Sequence, residues 1–99
     1  MIKYLEKDFD LEIKDKKVLV DFYADWCGPC KMLGEVFENV KDEISVDILK
    51  VDVDKFPEIA SKYNIFSIPT IYLLDNSEIK KSHTGYLNSK ELLEFIDKI

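Results

Sequence analysis

Two runs of this chain are apolar without alternation, Val18-Leu19-Val20-Asp21-Phe22-Tyr23 and Val46 to Val51. Apolar residues on both faces of a strand mark it as central and covered on each side, so helices should flank the sheet that holds these two. Met1 to Leu5 reads as an edge strand, and Phe9, Leu11 and Ile13 as a first helix, although their spacing is only a weak helical signal. After Cys30, Leu33, Val36, Phe37 and Val40 recur at i, i+3, i+4, i+7 and predict a helix with one buried stripe. Phe56, Ile59, Ala60 and Tyr63 repeat that pattern, with Pro57 near the helix start, where its missing N–H costs little. Ile71 to Leu74 and Glu78 to Thr84 predict two strands around Asp75-Asn76-Ser77, an antiparallel hairpin in an otherwise mixed sheet. Asn88 and Glu91 have the spacing of a capping box ahead of Leu92, Leu93, Ile96 and Ile99, which predicts a last helix. Strands alternating with amphipathic segments, with no repeat, linker or low-complexity stretch, make an α/β chain.

Composition narrows the functional classes. The 99 residues, 46% of them hydrophobic, suffice for one compact domain with a single core. The net charge is −6 and the sequence contains no arginine, which disfavours nucleic acid, whose phosphates need a clustered basic surface. Met1 leads straight into Ile2-Lys3-Tyr4-Leu5-Glu6-Lys7, with no apolar stretch long enough for a signal peptide or membrane span. The expectation is a reducing cytoplasm, no membrane and no nucleic acid.

Within that frame the two cysteines carry the chemistry. They stand in Trp26-Cys27-Gly28-Pro29-Cys30, at the mouth of the second helix. Residues i and i+3 of a helix lie about 5 to 6 Å apart on one face, within the separation a disulfide tolerates. A structural disulfide here would close a ring too small to constrain much of the fold. Zinc would need about four ligands, and beyond this pair the chain offers a single distant histidine, His83, and no second CxxC. A reversible dithiol remains, with no metal.

These residues also carry a resemblance. The run from Val20 through Trp26-Cys27-Gly28-Pro29-Cys30 to Lys31-Met32 is similar to the active-site signature of the thioredoxin family, and Ile68-Pro69-Thr70 resembles its second motif. The likeness covers essentially the whole chain. It implies the thioredoxin fold, a central mixed five-stranded sheet flanked on both faces by four helices, as a single domain over 1–99. It further implies a small dithiol electron carrier that reduces protein disulfides by thiol–disulfide exchange and binds no cofactor. Its electrons would come from a thioredoxin reductase, NADPH- or ferredoxin/flavin-linked. Clients of the kind represented by ribonucleotide reductase, peroxiredoxin and methionine sulfoxide reductase would be its partners, and a monomer is expected.

Roles for individual residues follow from their chemistry. Cys27 sits where free N–H groups and the positive end of a helix favour the thiolate, so it should be the nucleophile. Cys30, one turn deeper and less exposed, should be the resolving thiol that attacks the mixed disulfide. Gly28 permits close approach of a substrate backbone, while Pro29 fixes φ and removes a competing donor. Trp26 shapes the site or, alternatively, is a packed aromatic at a strand end. Asp21, a carboxylate in a strand apolar on both faces, is desolvated; its pKa should rise, which suits it to exchange a proton with Cys30. Lys50 occupies the other such strand and reads either as its partner or, with Asp21, as a charge that snorkels or lies near a strand end. By resemblance the Ile68–Pro69 bond is cis against the general trans preference, and Ser67, Ile68, Pro69, Thr84, Gly85 and Tyr86 form a docking surface that pairs with an extended substrate. His83 should have an inert surface role.

Departures from the family pattern bear on stability and partner choice. Glu35 stands where a helix-kinking proline is common, which leaves the helix straighter or kinked at Gly34. Tyr23 replaces a frequent tryptophan, Tyr86 a smaller residue, and Ser77 a hairpin glycine, so that Asn76 or Ser77 must accept the turn geometry. A disulfide isomerase or oxidase, and a thioredoxin-fold module that binds without electron transfer, are the alternative functions.

Overall fold

A computed structural model of the chain describes residues 1–97. The elements follow in the order β1 (Ile2–Tyr4), α1 (Phe9–Ile13), β2 (Lys17–Tyr23), α2 (Gly28–Val40), β3 (Asp47–Asp52), α3 (Pro57–Lys62), β4 (Thr70–Asp75), β5 (Glu78–Thr84) and α4 (Ser89–Asp97). The five strands form one sheet in the order β1-β3-β2-β4-β5. β3 runs parallel to both β1 and β2, while β4 is antiparallel to β2 and β5, which gives the mixed sheet expected.

Alternation along β2 divides the core. Val18, Val20 and Phe22 join Phe9 and Ile13 of α1, with Phe56, Ile59 and Tyr63 from around α3 packed alongside. Leu19 lies on the opposite face with Leu33, Val36, Phe37 and Val40 of α2 and Leu92 and Ile96 of α4. Each face of the sheet is thus covered by two helices. The α3 stripe differs from expectation, because Phe56, Ile59, Ala60 and Tyr63 are half-buried rather than buried. A six-residue helix is too short to seal its stripe. Leu93 is likewise half-buried beside fully buried Leu92, and Ile99 lies outside the described residues.

Local chemistry fixes the ends. The capping box closes in both directions: Glu91 N–H donates to Asn88 Oδ1 at 2.8 Å, and Asn88 N–H to Glu91 Oε1 at 3.0 Å. Asn64 ends α3 at φ 56°; its N–H donates to the Ser61 carbonyl at 3.1 Å, and that of Ile65 to the Ala60 carbonyl at 2.9 Å. That paired closure turns the chain towards Ile68 and Pro69. α2 is one continuous helix across Gly34 and Glu35.

The hairpin shows what its missing glycine demands. β4 extends to Asp75, which pairs with Glu78, so Asn76 and Ser77 form a two-residue loop. They sit at φ 51° and 70°. Positive φ at both positions is the signature of the tight turn that matches strand twist. Asparagine tolerates it, whereas serine is strained by about 1–2 kcal/mol. Ser77→Gly is expected to recover part of that strain, less the entropy glycine loses on folding, for a net gain of about 0.5 kcal/mol. Thermal unfolding should show Tm raised by a few degrees.

Candidate functional site

β2 and β3 are parallel neighbours and end together at Tyr23 and Asp52, so the loops that follow them meet at one end of the sheet. There Cys27 caps α2 with extended backbone at φ −87°, ψ 111°, and Pro29 occupies the first turn. The Cys30 N–H donates to Cys27 Sγ at 3.2 Å. No acidic side chain occupies the first turn of α2, so the positive end of the helix is directed at this sulfur alone. Cys27 and Cys30 are joined as a disulfide, their Cα atoms 5.2 Å apart.

The expected difference in exposure between the two sulfur residues is small. Cys27 is 5% exposed and Cys30 3%, because Ala24, Tyr23, Val53 and Ile68 pack around both. Their surroundings differ more than their exposure. Cys27 Sγ lies 3.9 Å from the Ile68 carbonyl oxygen, to which a reduced S–H would point. Cys30 instead lines a cleft of about 320 Å³ on the other side, shared with Lys50, Tyr23, Tyr4 and Gly34.

Asp21 and Lys50 are brought together. They are register partners in β2 and β3, and Lys50 Nζ is 3.6 Å from Asp21 Oδ2. Neither snorkels: the side chains are 1% and 11% exposed. Burial pushes the Asp21 pKa up to about 6, with the Lys50 charge opposing it. Neither Asp21 oxygen has a hydrogen-bond partner, which makes this carboxylate costly to ionise.

The Ile68–Pro69 peptide is cis, as the resemblance implied. Pro69 is buried and Ile68 half-buried against the disulfide. Thr70 Oγ1 donates to the Ser67 carbonyl at 2.7 Å and lies 3.1 Å from Thr84 Oγ1, while Gly85 N–H donates to the Pro69 carbonyl at 2.8 Å. These bonds tie the Ser67–Thr70 loop to the end of β5. Gly85 holds φ 108°, which explains the glycine there. Tyr86 follows it, 41% exposed.

Trp26 is 71% exposed, so the packed-aromatic alternative fails. Its Nε1–H donates to Asp54 Oδ2 at 2.9 Å, which holds the ring beside Cys27. Sequence reading missed Asp54, although two parallel strands ending level would have placed the segments after Tyr23 and Asp52 side by side. It also missed Phe66, 91% exposed on the loop before Pro69. His83 lies apart, its ring edge-on to Phe95 at 6.4 Å. Among the described residues no cluster of three or more His, Cys, Asp or Glu could hold a metal, and no helix is long and apolar enough to cross a membrane.

Comparison with known proteins agrees with this geometry. The family model described as Thioredoxin matches residues 1–98. A thioredoxin of Staphylococcus epidermidis is 40% identical over 99% of this chain and 96% of its own length, and one of Bacillus subtilis is 37% identical over the same shares. Among solved structures, reduced thioredoxin pre-protein of Schistosoma mansoni superposes with a TM-score of 0.86 at 37% identity, covering 98% of this chain and 96% of that one. A mutant thioredoxin of Halobacterium salinarum gives the same TM-score, 0.86, at 33% identity, over 97% of this chain and 88% of that one.

Proposed function

The chain belongs to the thioredoxin family, and from that premise we propose that it is a small dithiol electron carrier, a single domain that reduces protein disulfides through Cys27 and Cys30. The observation that carries this reading is the placement of Cys27 Sγ at the N-terminus of α2, accepting the Cys30 N–H and bonded to Cys30. A thiolate there is stabilised by the helix end and by that N–H.

In the reduced protein the Cys27 thiolate attacks one sulfur of a client disulfide, and the other leaves as a thiolate that takes a proton. Cys30, deprotonated by Asp21, then attacks Cys27 Sγ. The Cys27–Cys30 bond forms, the mixed disulfide breaks, and the client's second sulfur leaves reduced. Two electrons pass to the client and the carrier is left oxidised. Lys50 holds Asp21 in position for this transfer. Gly28 permits close approach of the client backbone, Pro29 removes a donor that would compete for the sulfur, and Trp26, Ser67, Ile68, Pro69, Thr84, Gly85 and Tyr86 form the surface on which an extended client segment docks. A thioredoxin reductase, NADPH- or ferredoxin/flavin-linked, returns the electrons, in the cytoplasm, to a monomer.

Reduction of insulin disulfides with dithiothreitol as donor tests the reaction, and candidate reductases then test the donor. Strong acceleration over dithiothreitol alone is expected. No acceleration would overturn the reading, and full activity in a Cys27→Ser, Cys30→Ser double variant would establish a non-redox module instead.

A further inference from the structure

Lys50 is enclosed more tightly than pairing with Asp21 requires. Besides Asp21 Oδ2 at 3.6 Å, its Nζ lies 4.7 Å from the ring centroid of Tyr23 and 5.5 Å from that of Tyr4. The two rings meet edge-on at 6.1 Å. On a further side, a Cβ at Gly34 would lie 3.3 Å from the ammonium, which would have to give by a few tenths of an ångström, so glycine leaves Nζ its present place. Strand register builds the arrangement: Tyr4 pairs with Lys50 and Lys50 with Asp21, one row across β1, β3 and β2.

Tyr4 is 57% exposed, so its ring contributes little to the core. It nonetheless covers the ammonium of a lysine whose side chain is only 11% exposed. We propose that Tyr4 is a positioning residue for disulfide reduction: its ring closes an aromatic clamp that holds Lys50 against Asp21 and thereby sets the pH range in which reduction runs. This rests on the reading above in which Asp21 takes the Cys30 proton.

The competing position for the ammonium is the cleft beside it. Glu35, Glu38 and the exposed Lys31 line that cleft from α2, and Asp25 from the turn before it. Without the Tyr4 ring, water and these carboxylates would draw Nζ outwards. The Lys50 charge is what opposes burial at Asp21, so a loosened hold moves the Asp21 titration upwards. From β4 the register partner of Asp21 is Ile71, which carries no charge, and α2 brings Cys30 to the cleft. Tyr23 remains a neutral ring, because burial, with the charges of Asp52 and Asp25, pushes its pKa up to about 12.

The test compares wild type, Tyr4→Leu, Tyr4→Phe and Asp21→Asn. For each, pre-reduced protein is mixed with insulin and the single-turnover rate is measured from pH 5 to 8.5; in the three proteins that keep Asp21, its carboxyl carbon is followed by NMR. An exposed cation–π contact corresponds to a shift of about half a pH unit. Tyr4→Leu should therefore raise both midpoints by about that much and cut the rate at pH 6 about twofold, leaving pH 8 unchanged. Tyr4→Phe should match wild type, since the ring and not the hydroxyl acts. Unmoved midpoints in Tyr4→Leu would overturn the clamp, whether or not Tm changes, and so would a shift in Tyr4→Phe equal to that in Tyr4→Leu. A wild-type profile in Asp21→Asn would instead overturn the Asp21 reading itself, and the clamp with it.

Discussion

Cys30→Ser is expected to capture client disulfides and fail to release them. Cys27 would still attack, because its helix-end position and extended cap geometry depend on the backbone and not on the Cys30 sulfur. The mixed disulfide would then persist. In the native protein the resolving sulfur is covalently held beside its target, the two Cα atoms 5.2 Å apart. Well-oriented intramolecular attack corresponds to effective molarities of roughly 10⁵ M or more, against which an external thiol at millimolar concentration is negligible. Turnover should accordingly fall by about a thousandfold or more. A covalent adduct should appear on non-reducing gels and vanish with excess dithiothreitol. Cys27→Ser should lose turnover as completely and form no adduct, since Cys30 is 3% exposed and lines the cleft beside Lys50 rather than the face beside Ile68. Adducts of equal yield from both variants would sink the division of roles between the two sulfurs.

How much of this was legible before the structure depended on the range over which each signal acts. The Cys27–Cys30 pair is local, and helix geometry alone gave its separation. Asp21 and Lys50 were legible as charges inside runs apolar on both faces; their pairing needed the parallel register of β2 and β3. Asn76 and Ser77 were legible through what they lacked, and both take positive φ.

Tyr4, Gly34 and Asp54 were not legible, for a physical reason. Each acts on a residue brought near by strand order rather than by sequence. Tyr4 meets Lys50 only because β1 lies beside β3 and not beside β2. Gly34 was read as a possible kink, yet α2 is continuous through it and the missing Cβ makes room for the Lys50 ammonium. A glycine in a helix interior signals that something is close, without saying what. The half-buried α3 stripe belongs to the same class, since periodicity gives the direction of a helix face but not how completely its neighbours close over it.

Asp21→Asn should stabilise the protein and slow it. In the fold the carboxyl titrates at about 6, against an ordinary value of 3.8. A folded pKa raised above the unfolded one means that the unfolded chain gives up its proton first. Below about pH 4 both states are protonated and Asp21 adds no penalty. As pH rises through the interval between the two values the wild type loses stability, and above about 6 the whole penalty is present. A shift of about two units corresponds to about 3 kcal/mol at most. Asparagine removes that penalty but leaves the ammonium of Lys50, whose side chain is 11% exposed, without its counter-charge. A net gain of about 1–2 kcal/mol at pH 8 is expected, shrinking towards zero or reversing near pH 4. Denaturant unfolding at pH 4, 6 and 8 measures this, and a gain independent of pH would contradict it. The same variant should reduce insulin about ten- to a hundredfold more slowly near neutral pH, at or below the low end of general-base catalysis, because a thiol is already fairly acidic. Stability gained and rate lost in one substitution would mean that the buried carboxylate is kept for its proton, at the expense of the fold; equal rates in wild type and variant would leave its burial without that explanation.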